Sequence, residues 1–209
     1  VSTTPIQVAS TAGFPSSGWL LIGSEIISYT TTTATTFDGT VTRGVLGTTN
    51  VAHTAGAAIS EVQGTGGVGS IGKMLFNNTD FSNGVTVDST DQTKVVFAYA
   101  GRYNIQFSAQ LLNFTTSEDN ITIWIRQNGV DIPATAGIEQ VNSKHGTAPG
   151  ARIAAWNYFI DVNANDYIQM AWTSDTGNSV VATYPAGTSP VHPVSPGVIL
   201  TAQFVSAVY

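Results

Sequence analysis

Three histidines and thirteen acidic residues carry most of the chemistry that this 209-residue sequence could perform. The histidines His53, His145 and His192 are far apart in the chain and stand in polar contexts. No Gly-x-Ser-x-Gly elbow and no His-Glu-x-x-His spacing accompanies them. The local sequence that normally signals a Ser-His-Asp triad or a histidine metal centre is therefore missing, and we expect that the protein is not an enzyme.

Six aspartates fall in or near turns: Asp88, Asp91, Asp119, Asp161, Asp166 and Asp175. A glycosidase would need two carboxylates at a fixed separation beside aromatic rings, for which Trp124, Trp156 and Trp172 are available. We favour the alternative that aspartates cap backbone N–H groups in turns. We expect no cofactor, but two ion hypotheses stay open: calcium held by loop carboxylates, and an ion held on a trimer axis by three copies of one histidine.

The charge of the chain narrows the classes of partner. The net charge is −6, whereas nucleic acids and anionic membranes select basic surfaces. No apolar run approaches the roughly 20 residues that span a bilayer. Nucleic-acid and membrane partners are therefore not expected, and the lack of cysteine excludes disulfides and thiolate metal sites.

Residues 1–63 contain only four ionised residues, and Arg43 is one of them. We predict that Arg43 caps carbonyl groups or pairs with Glu25 or Asp38. The neighbouring His53 is predicted to fix a loop rather than to bind a metal.

Polar and apolar residues alternate along the strands that must position these groups. In YNIQFSAQL, residues 103–111, every second residue is apolar and the residues between are Asn, Gln or Ser. This period of two is typical of a strand with one wet and one dry face. Similar runs occur at 121–126, 153–162, 167–172 and 198–205, with weaker ones at 85–88, 94–99 and 179–184. About eight strands in this part of the chain predict an all-β sandwich or barrel.

The first part of the chain also reads as short strands and turns. GWLLIG and EIISYT meet at Gly23-Ser24, which predicts a tight hairpin. QGTGGVGSIG, residues 63–72, has five glycines in ten residues, a composition typical of a flexible linker. We therefore predict a small β module over 1–63, a linker over 64–72 and a second domain over 73–209. A long loop inside a single domain is the alternative.

In the second domain, the run VFAYAGRYNIQF carries a Gly-x-Tyr-x-x-x-Phe pattern as Gly101, Tyr103 and Phe107. This pattern resembles that of the complement globular-head and tumour-necrosis-factor-like jelly rolls. The Asn128-Gly129 hairpin and the closing strand with Phe204 follow in the order expected for that family. The resemblance covers 73–209 and implies a jelly-roll β-sandwich that forms a homotrimer. The loop at 183–197 is longer and richer in proline than the family pattern, so no ligand site is carried over through it.

The first domain contains AGFP at 12–15, the hairpin at 18–29, TRGV at 42–45, GTT at 47–49 and AHTAG at 52–56. Together these motifs resemble a small β module of tailed-phage virion proteins. This resemblance implies that the chain is a component of a bacteriophage virion, located on the particle. Residues 1–63 would then dock on the major capsid protein or another virion protein.

Aromatic residues of the second domain point to assembly. Strands 153–162 and 167–172 are apolar on both faces, and a sheet that is apolar on both sides must cover both. One face would pack inside the sandwich and the other on neighbouring copies. The candidate trimer interface is Trp156, Tyr158, Tyr167, Met170 and Trp172. A single, unusually apolar monomer core is the alternative.

Together these patterns predict a structural virion protein, a trimeric capsid decoration or short surface (head) fibre that displays a jelly-roll knob. The alternative is a receptor-binding tip of the tail that recognises a host surface glycan or protein. Its candidate ligand loop is 183–197, with Tyr184 and His192, because prolines there reduce the entropy lost on binding.

Overall fold

The computed structural model describes residues 4–65 and 67–207, and every regular element in that part is a β-strand. Residues 1–3, 66 and 208–209 of the predicted domains and linker lie outside the described residues. The first seven strands are β1 Ile6–Gln7, β2 Gly18–Ile22, β3 Glu25–Tyr29, β4 Thr31–Thr32, β5 Thr36–Asp38, β6 Thr42–Val45 and β7 Ile59–Gly64.

Thirteen further strands are described after the glycine-rich segment. They are β8 Gly72–Lys73, β9 Val85–Val87, β10 Val95–Phe97, β11 Gly101–Asn113, β12 Asp119–Gln127, β13 Val130–Asp131, β14 Gly137–Val141, β15 Gly150–Val162, β16 Tyr167–Ser174, β17 Ser179–Ala182, β18 Gly187–Thr188, β19 Val191–His192 and β20 Val198–Ser206. The all-β prediction is confirmed.

Two large sheets contain most of the strands. Sheet A has the order β15-β11-β17-β7-β2-β3-β6, and β20 joins it by pairing with β11 beside β17. Sheet B has the order β13-β12-β16-β10-β9, with β14 on β12 and β8 on β16. Two small sheets, β1-β5-β4 and β18-β19, complete the described part.

The alternation in β11 produces the predicted two-faced strand. Tyr103, Ile105, Phe107, Ala109 and Leu111 are all buried. The residues between them are exposed or half-buried. Because side chains alternate across a strand, one face of β11 belongs to the core and the other reaches solvent.

The main core lies between sheets A and B. Its largest fully buried members include Trp172, Phe97, Ile105, Leu111 and Ile121, contributed by both sheets. Burial of apolar surface at about 25 cal/mol per Å² makes this core the principal source of stability.

The predicted hairpins form where the turn residues require them. Ile22 pairs with Glu25 across the two-residue turn at Gly23-Ser24, and Gly23 has φ +60°. Asn128 and Gly129 both have positive φ, 51° and 82°, as a two-residue type I′ hairpin turn needs.

Sheet A runs without a break across the predicted domain boundary. β7 pairs with β17 through Val62–Ala182, Gln63–Val181 and Gly64–Val180. A second hydrophobic cluster lies at this junction, where Leu21 and Ile26 pack with Leu112, Phe114 and Val180. The predicted first domain is therefore joined to the second by backbone hydrogen bonds and by a shared apolar cluster, and the division into two domains stays a prediction.

The glycine-rich segment makes close contacts with the second part of the chain. Gly72 pairs with Trp172, and a Cβ on Gly72 would come within 2.8 Å of the indole nitrogen. Gly67 lies so close to Gly177 that a Cβ on Gly177 would come within 2.6 Å of its carbonyl carbon. Thr173 also donates a hydrogen bond to the Ser70 carbonyl at 2.9 Å. The glycines are used where two backbones approach closely.

The second part of the chain has one substantial strand that the sequence did not reveal. Among its described residues, nine strands of three or more residues occur, whereas about eight were predicted. The additional strand is β14, which pairs with β12 from Ile123–Gly137 to Asp119–Val141.

Candidate functional site

A buried carboxylate organises the first part of the chain. Glu25, with a fully buried side chain, accepts hydrogen bonds from Arg43 Nε at 2.7 Å and Nη2 at 2.6 Å. The Gly44 and Val51 amides donate to it at 2.9 and 3.2 Å, and His53 Nε2 lies at 2.8 Å. Arg43 also donates to the Val51 carbonyl, so both predicted roles of Arg43 are confirmed, as is the loop-fixing role of His53.

The electrostatics of this cluster are those of a structural ion pair. Burial by itself raises the pKa of Glu25, but the hydrogen bonds from Arg43, Val51 and His53 outweigh it, so the pKa lies below its usual value. The same carboxylate raises the pKa of Arg43. Every oxygen of Glu25 is occupied by the protein itself, so the cluster holds β3, β6 and the 48–53 loop together and leaves no position for a reacting group.

Four of the six aspartates, Asp88, Asp91, Asp119 and Asp166, cap backbone N–H groups as predicted, whereas Asp161 and Asp175 accept from the side chains of Arg102 and Asn120. Asp88 accepts from the amides of Thr90 and Asp91 at 2.7 and 3.0 Å, and these bonds, with the Thr90 hydroxyl, lower its pKa. Asp166 accepts from the Asn163 amide at 2.8 Å, and Asp119 from the Thr176 amide at 3.0 Å. Their carboxylates are thereby used in loop structure.

No group of three or more histidine or acidic side chains is positioned to hold a metal ion within residues 4–65 and 67–207. His145 is exposed in a short loop where it bridges to Ala148. His192 is also exposed, and its Nδ1 lies 2.9 Å from the carbonyl oxygen of Pro193. An ion shared by three copies of one histidine, or held by loop carboxylates, stays a prediction.

Two residues of the predicted trimer interface belong to the core of a single chain. Met170 and Trp172 are completely buried between the sheets, next to Ile123 and Ile168. For Met170 and Trp172 the expected intersubunit role is therefore corrected to an intramolecular one, because neither side chain has surface left for a neighbour. The sequence shows that β16 is apolar but does not show that its own chain covers it.

Trp156 and Tyr158 lie at the rim of the same core. The Trp156 ring packs edge-on against Phe107, with centroids 5.0 Å apart. Its Nε1 donates to the hydroxyl of Tyr158, which in turn donates to the Thr135 carbonyl. Burial raises the pKa of Tyr158. Both rings are half-buried by their own chain.

Tyr167, at the start of β16, is half-buried on the outer side of sheet B. The ammonium of Lys94 lies 4.9 Å from the centre of its ring, within the range of a cation–π contact. The backbone amide of Tyr167 donates to Asn128 at 3.0 Å. Tyr167 is thus held by residues of its own chain and does not lie next to the exposed surface of β15.

An extended exposed sheet surface lies on the solvent side of β15, β11 and β20. We call it the open face. Its positions are Ala151, Ile153, Ala155, Asn157, Phe159, Asn104, Gln106, Ser108, Gln110, Ile199, Thr201 and Gln203. Ile153 and Phe159 are 62% and 61% exposed, and no member of the open face carries a charge.

Charge appears only where the open face ends. Arg102 and Asp161 stand opposite each other on β11 and β15 and form a two-point ion pair with bonds of 2.7 and 2.8 Å. Inside that border, apolar residues face amides and hydroxyls across the strands, as with Phe159 opposite Asn104 and Ile153 opposite Gln110. An uncharged, flat surface of this kind suits contact with another protein surface.

The sequence analysis did not identify the open face, because it inferred the interface from strands that are apolar on both faces and did not include Ile153 or Phe159. The alternation along β15 was enough to predict that Ile153 and Phe159, six residues apart, lie on the same side of the strand. Their position opposite the polar side of β11 required the register of the sheet.

The loop at 183–197 places its two predicted ligand residues differently. Tyr184 bridges to Ser195 and packs on the junction cluster, where burial raises its pKa. His192 lies on the exposed β18–β19 hairpin beside Val191, which is 86% exposed. His192 therefore lies on the protein surface, whereas Tyr184 lies at the base of the loop.

Comparison with known proteins gives no relative: no family model matches the sequence, and no curated protein matches it. In the described residues, no helix has the length and apolar character that crossing a membrane would require.

Proposed function

We propose that this chain is a structural protein of a bacteriophage virion, in which the second part forms a trimeric jelly-roll knob. It would decorate the capsid or form a short surface fibre. The observation that carries the proposal is the open face, an uncharged sheet surface with exposed Ile153 and Phe159. The resemblance of residues 73–209 to trimeric jelly rolls supports the same assembly.

The open face has the composition of a surface that is covered in the assembled state. Charged residues are depleted in the centre of protein interfaces, while apolar residues contact the partner and amides form hydrogen bonds at fixed positions. Exposure of Ile153, Phe159 and Ile199 in a lone chain leaves apolar surface in water. Contact with a neighbouring copy would remove that surface from solvent.

The strand edges favour a ring rather than a two-fold dimer. β15 is thirteen residues long and, among the described strands, pairs with β11 alone. A long unpaired edge invites contact with another chain, and proteins generally cover it. Contact between the edge of one copy and the open face of the next joins two different surfaces, and such heterologous interfaces close into rings when the rotation permits.

Residues 1–63 would provide attachment to the particle, as their resemblance to a virion module implies. Their rigidity supports this role. The buried Glu25–Arg43 pair and a separate cluster formed by Leu20, Ile27 and Phe37 fix this part without help from a partner. A rigid module presents a defined docking surface and loses little entropy on attachment.

The mass of the purified protein in solution tests the trimer. Light scattering should report about three times the 21.8 kDa chain mass at micromolar concentration. Ile153→Asp places a charge in the open face and should convert the trimer into monomers. Ile138→Asp is the matched control, since Ile138 is an equally exposed isoleucine, 70%, on sheet B.

A native mass near that of one chain would refute the trimer, and equal effects of the two substitutions would refute the assignment of the open face. Labelling of intact phage particles with an antibody against residues 73–209 tests the virion location separately.

A receptor-binding tip is the second candidate, and the exposed β18–β19 hairpin favours it. Val191 and His192 project from a proline-rich loop with little contact to the core. Phage particles that carry alanine at both positions should then assemble normally and adsorb poorly to the host.

A further inference from the structure

A cleft of about 370 Å³ opens between the segment 75–83 and strand β20. Its volume falls within the roughly 300–1,000 Å³ typical of small-molecule sites. One wall is the polar run 77–83, which contains Phe81, and the other is the segment 196–202. Between them, apolar residues line the cleft: Leu75, Phe76, Val85, Val87 and Val95. We propose that this cleft is a binding site for a neutral saccharide, a role that is independent of trimer formation.

Phe81 supplies the stacking surface. Its side chain is 87% exposed although it lines the cleft, so the chain itself provides no cover for the ring. The C–H face of a pyranose is flat and apolar, and it can cover an exposed aromatic ring of this size. Asp80 and Ser82, the chain neighbours of Phe81, line the same cleft and carry hydrogen-bonding groups.

Asn77 offers an oriented acceptor at the base of this wall. Its amide nitrogen donates to Glu61 Oε2 at 2.7 Å and to the Gly13 carbonyl at 2.9 Å. Because both partners are oxygen acceptors, the side-chain nitrogen of Asn77 must point towards them, and this sets the orientation of the amide. The carbonyl oxygen of Asn77 is therefore left to accept from a ligand hydroxyl without reorganisation.

A second pair of polar groups is prepared in the same way. Asn78 donates to Asp80 Oδ1 at 2.6 Å, which leaves Asp80 Oδ2 and the Asn78 carbonyl as acceptors. The Asn83 amide has no hydrogen-bond partner within the described ranges 4–65 and 67–207, although it lines the cleft. An amide both donates and accepts, which matches the two capacities of a sugar hydroxyl.

The opposite wall adds backbone groups. Gly197 accepts from the Gln110 amide at 2.8 Å, which sets the alternation of hydrogen-bonded pairs along β20. In an antiparallel ladder the next residue points its N–H and C=O the other way. Val198, Leu200 and Ala202 therefore direct their backbone groups away from β11, towards the cleft that they line.

The charges select among ligands. Asp80 is the one ionisable residue that lines the cleft in the part of the chain that the structure describes, and the whole chain carries a net charge of −6. Phosphate, sulfate and carboxylate ligands would meet an acidic group with no cation to pair with. A neutral saccharide instead offers hydroxyls to the acceptors and amides of the cleft, and an apolar C–H face to Phe81 and to apolar lining residues such as Phe76 and Val85.

Saturation-transfer NMR on the full chain tests the proposal with six probes: glucose, galactose, mannose, rhamnose, N-acetylglucosamine and N-acetylgalactosamine, each at roughly 50 mM to detect millimolar affinity. At least one should receive saturation, most strongly at its ring C–H protons. Phe81→Ala should weaken that affinity about tenfold, the loss expected for removing an aromatic contact. Because Phe81 is exposed, the variant should keep the melting temperature of the native chain.

Val191→Ala is the control, since Val191 is equally exposed but lies on the β18–β19 hairpin. It should leave saccharide affinity unchanged. Silence of all six probes, or full binding by Phe81→Ala, would overturn the proposal. Binding of a synthetic peptide with the sequence 198–204 in place of any saccharide would show that the cleft docks a strand, and would overturn it equally.

Discussion

Glu61 should make the stability of this protein depend on pH in the neutral range. Its carboxylate lies in β7, half-buried at the junction of the two parts of the chain. Burial raises its pKa from the ordinary 4.5 to about 7, although the hydrogen bond from Asn77 acts in the opposite direction. Oε1 is buried and has no hydrogen-bond partner within the described residues, so little offsets the cost of its charge.

The sign follows from proton linkage. Between pH 4.5 and about 7 the folded chain keeps a proton on Glu61 that the unfolded chain has lost. The contribution of Glu61 to the free energy of unfolding is therefore fully present below pH 4.5. It is lost as the pH rises towards about 7, and above that pH it no longer changes. At about 1.4 kcal/mol per pKa unit, the shift from 4.5 to about 7 gives a total loss of at most about 3.5 kcal/mol.

Glu61→Gln stays neutral at every pH and should remove this slope from the free energy of unfolding. Urea unfolding at a series of pH values from about 4.5 to about 8 measures it by linear extrapolation. Glu118→Gln, a change at an exposed carboxyl, is the control and should keep the native slope. Identical pH profiles for the native chain and Glu61→Gln would refute the reasoning.

Two further predictions concern buried groups. Arg43→Ala should destabilise the chain by about 3–5 kcal/mol, because it leaves the buried Glu25 carboxylate without its cation, and chemical unfolding measures the loss; a loss below about 1 kcal/mol would contradict the structural role of the pair. Trp172→Ala should cost about 3–5 kcal/mol through the cavity it leaves, yet keep the native mass in light scattering below the melting temperature. Dissociation of a folded Trp172→Ala chain would instead place this ring between subunits.

Much of the fold could be predicted because local patterns and tertiary structure agree. The alternation over 103–111 became β11, and Asn128-Gly129 became a hairpin turn with two positive φ angles. Both signals act within a few residues, so no knowledge of distant contacts is needed. β14 was missed because Gly137–Val141 is short and half exposed, so its sequence carries little periodicity.

The cover of a strand's second face could not be predicted from its sequence. Both faces of β16 are apolar or buried, and alternation alone does not say whether the same chain or a neighbour covers them. The structure shows that Gln169 is buried and donates to Thr93 at 2.7 Å, seventy-six residues away. Contacts between residues far apart in the sequence decide which side chains are covered and which stay exposed. Met170 and Trp172 are covered in this way, whereas Ile153 remains in solvent.

Of the candidate sites, one could be predicted from the sequence and the other could not. Scarcity of charge was enough to predict that Arg43 has a partner among Glu25, Asp38 and carbonyl groups, because a lone cation among strands needs an anion or acceptors, and the structure identifies Glu25 and the Val51 carbonyl. The cleft beside Phe81 could not be foreseen, since its walls come from segments more than a hundred residues apart.

The pairing of β7 with β17 also determines how the molecule transmits force. A flexible tether of glycines would let the second part of the chain rotate freely relative to the first. Here Gly64 is bonded into the same sheet as Val180, so a torque applied to residues 4–63 passes through β17 into β11. The second part of the chain therefore keeps a set angle to the first. In the proposed virion, copies attached at equivalent positions would all point in the same direction.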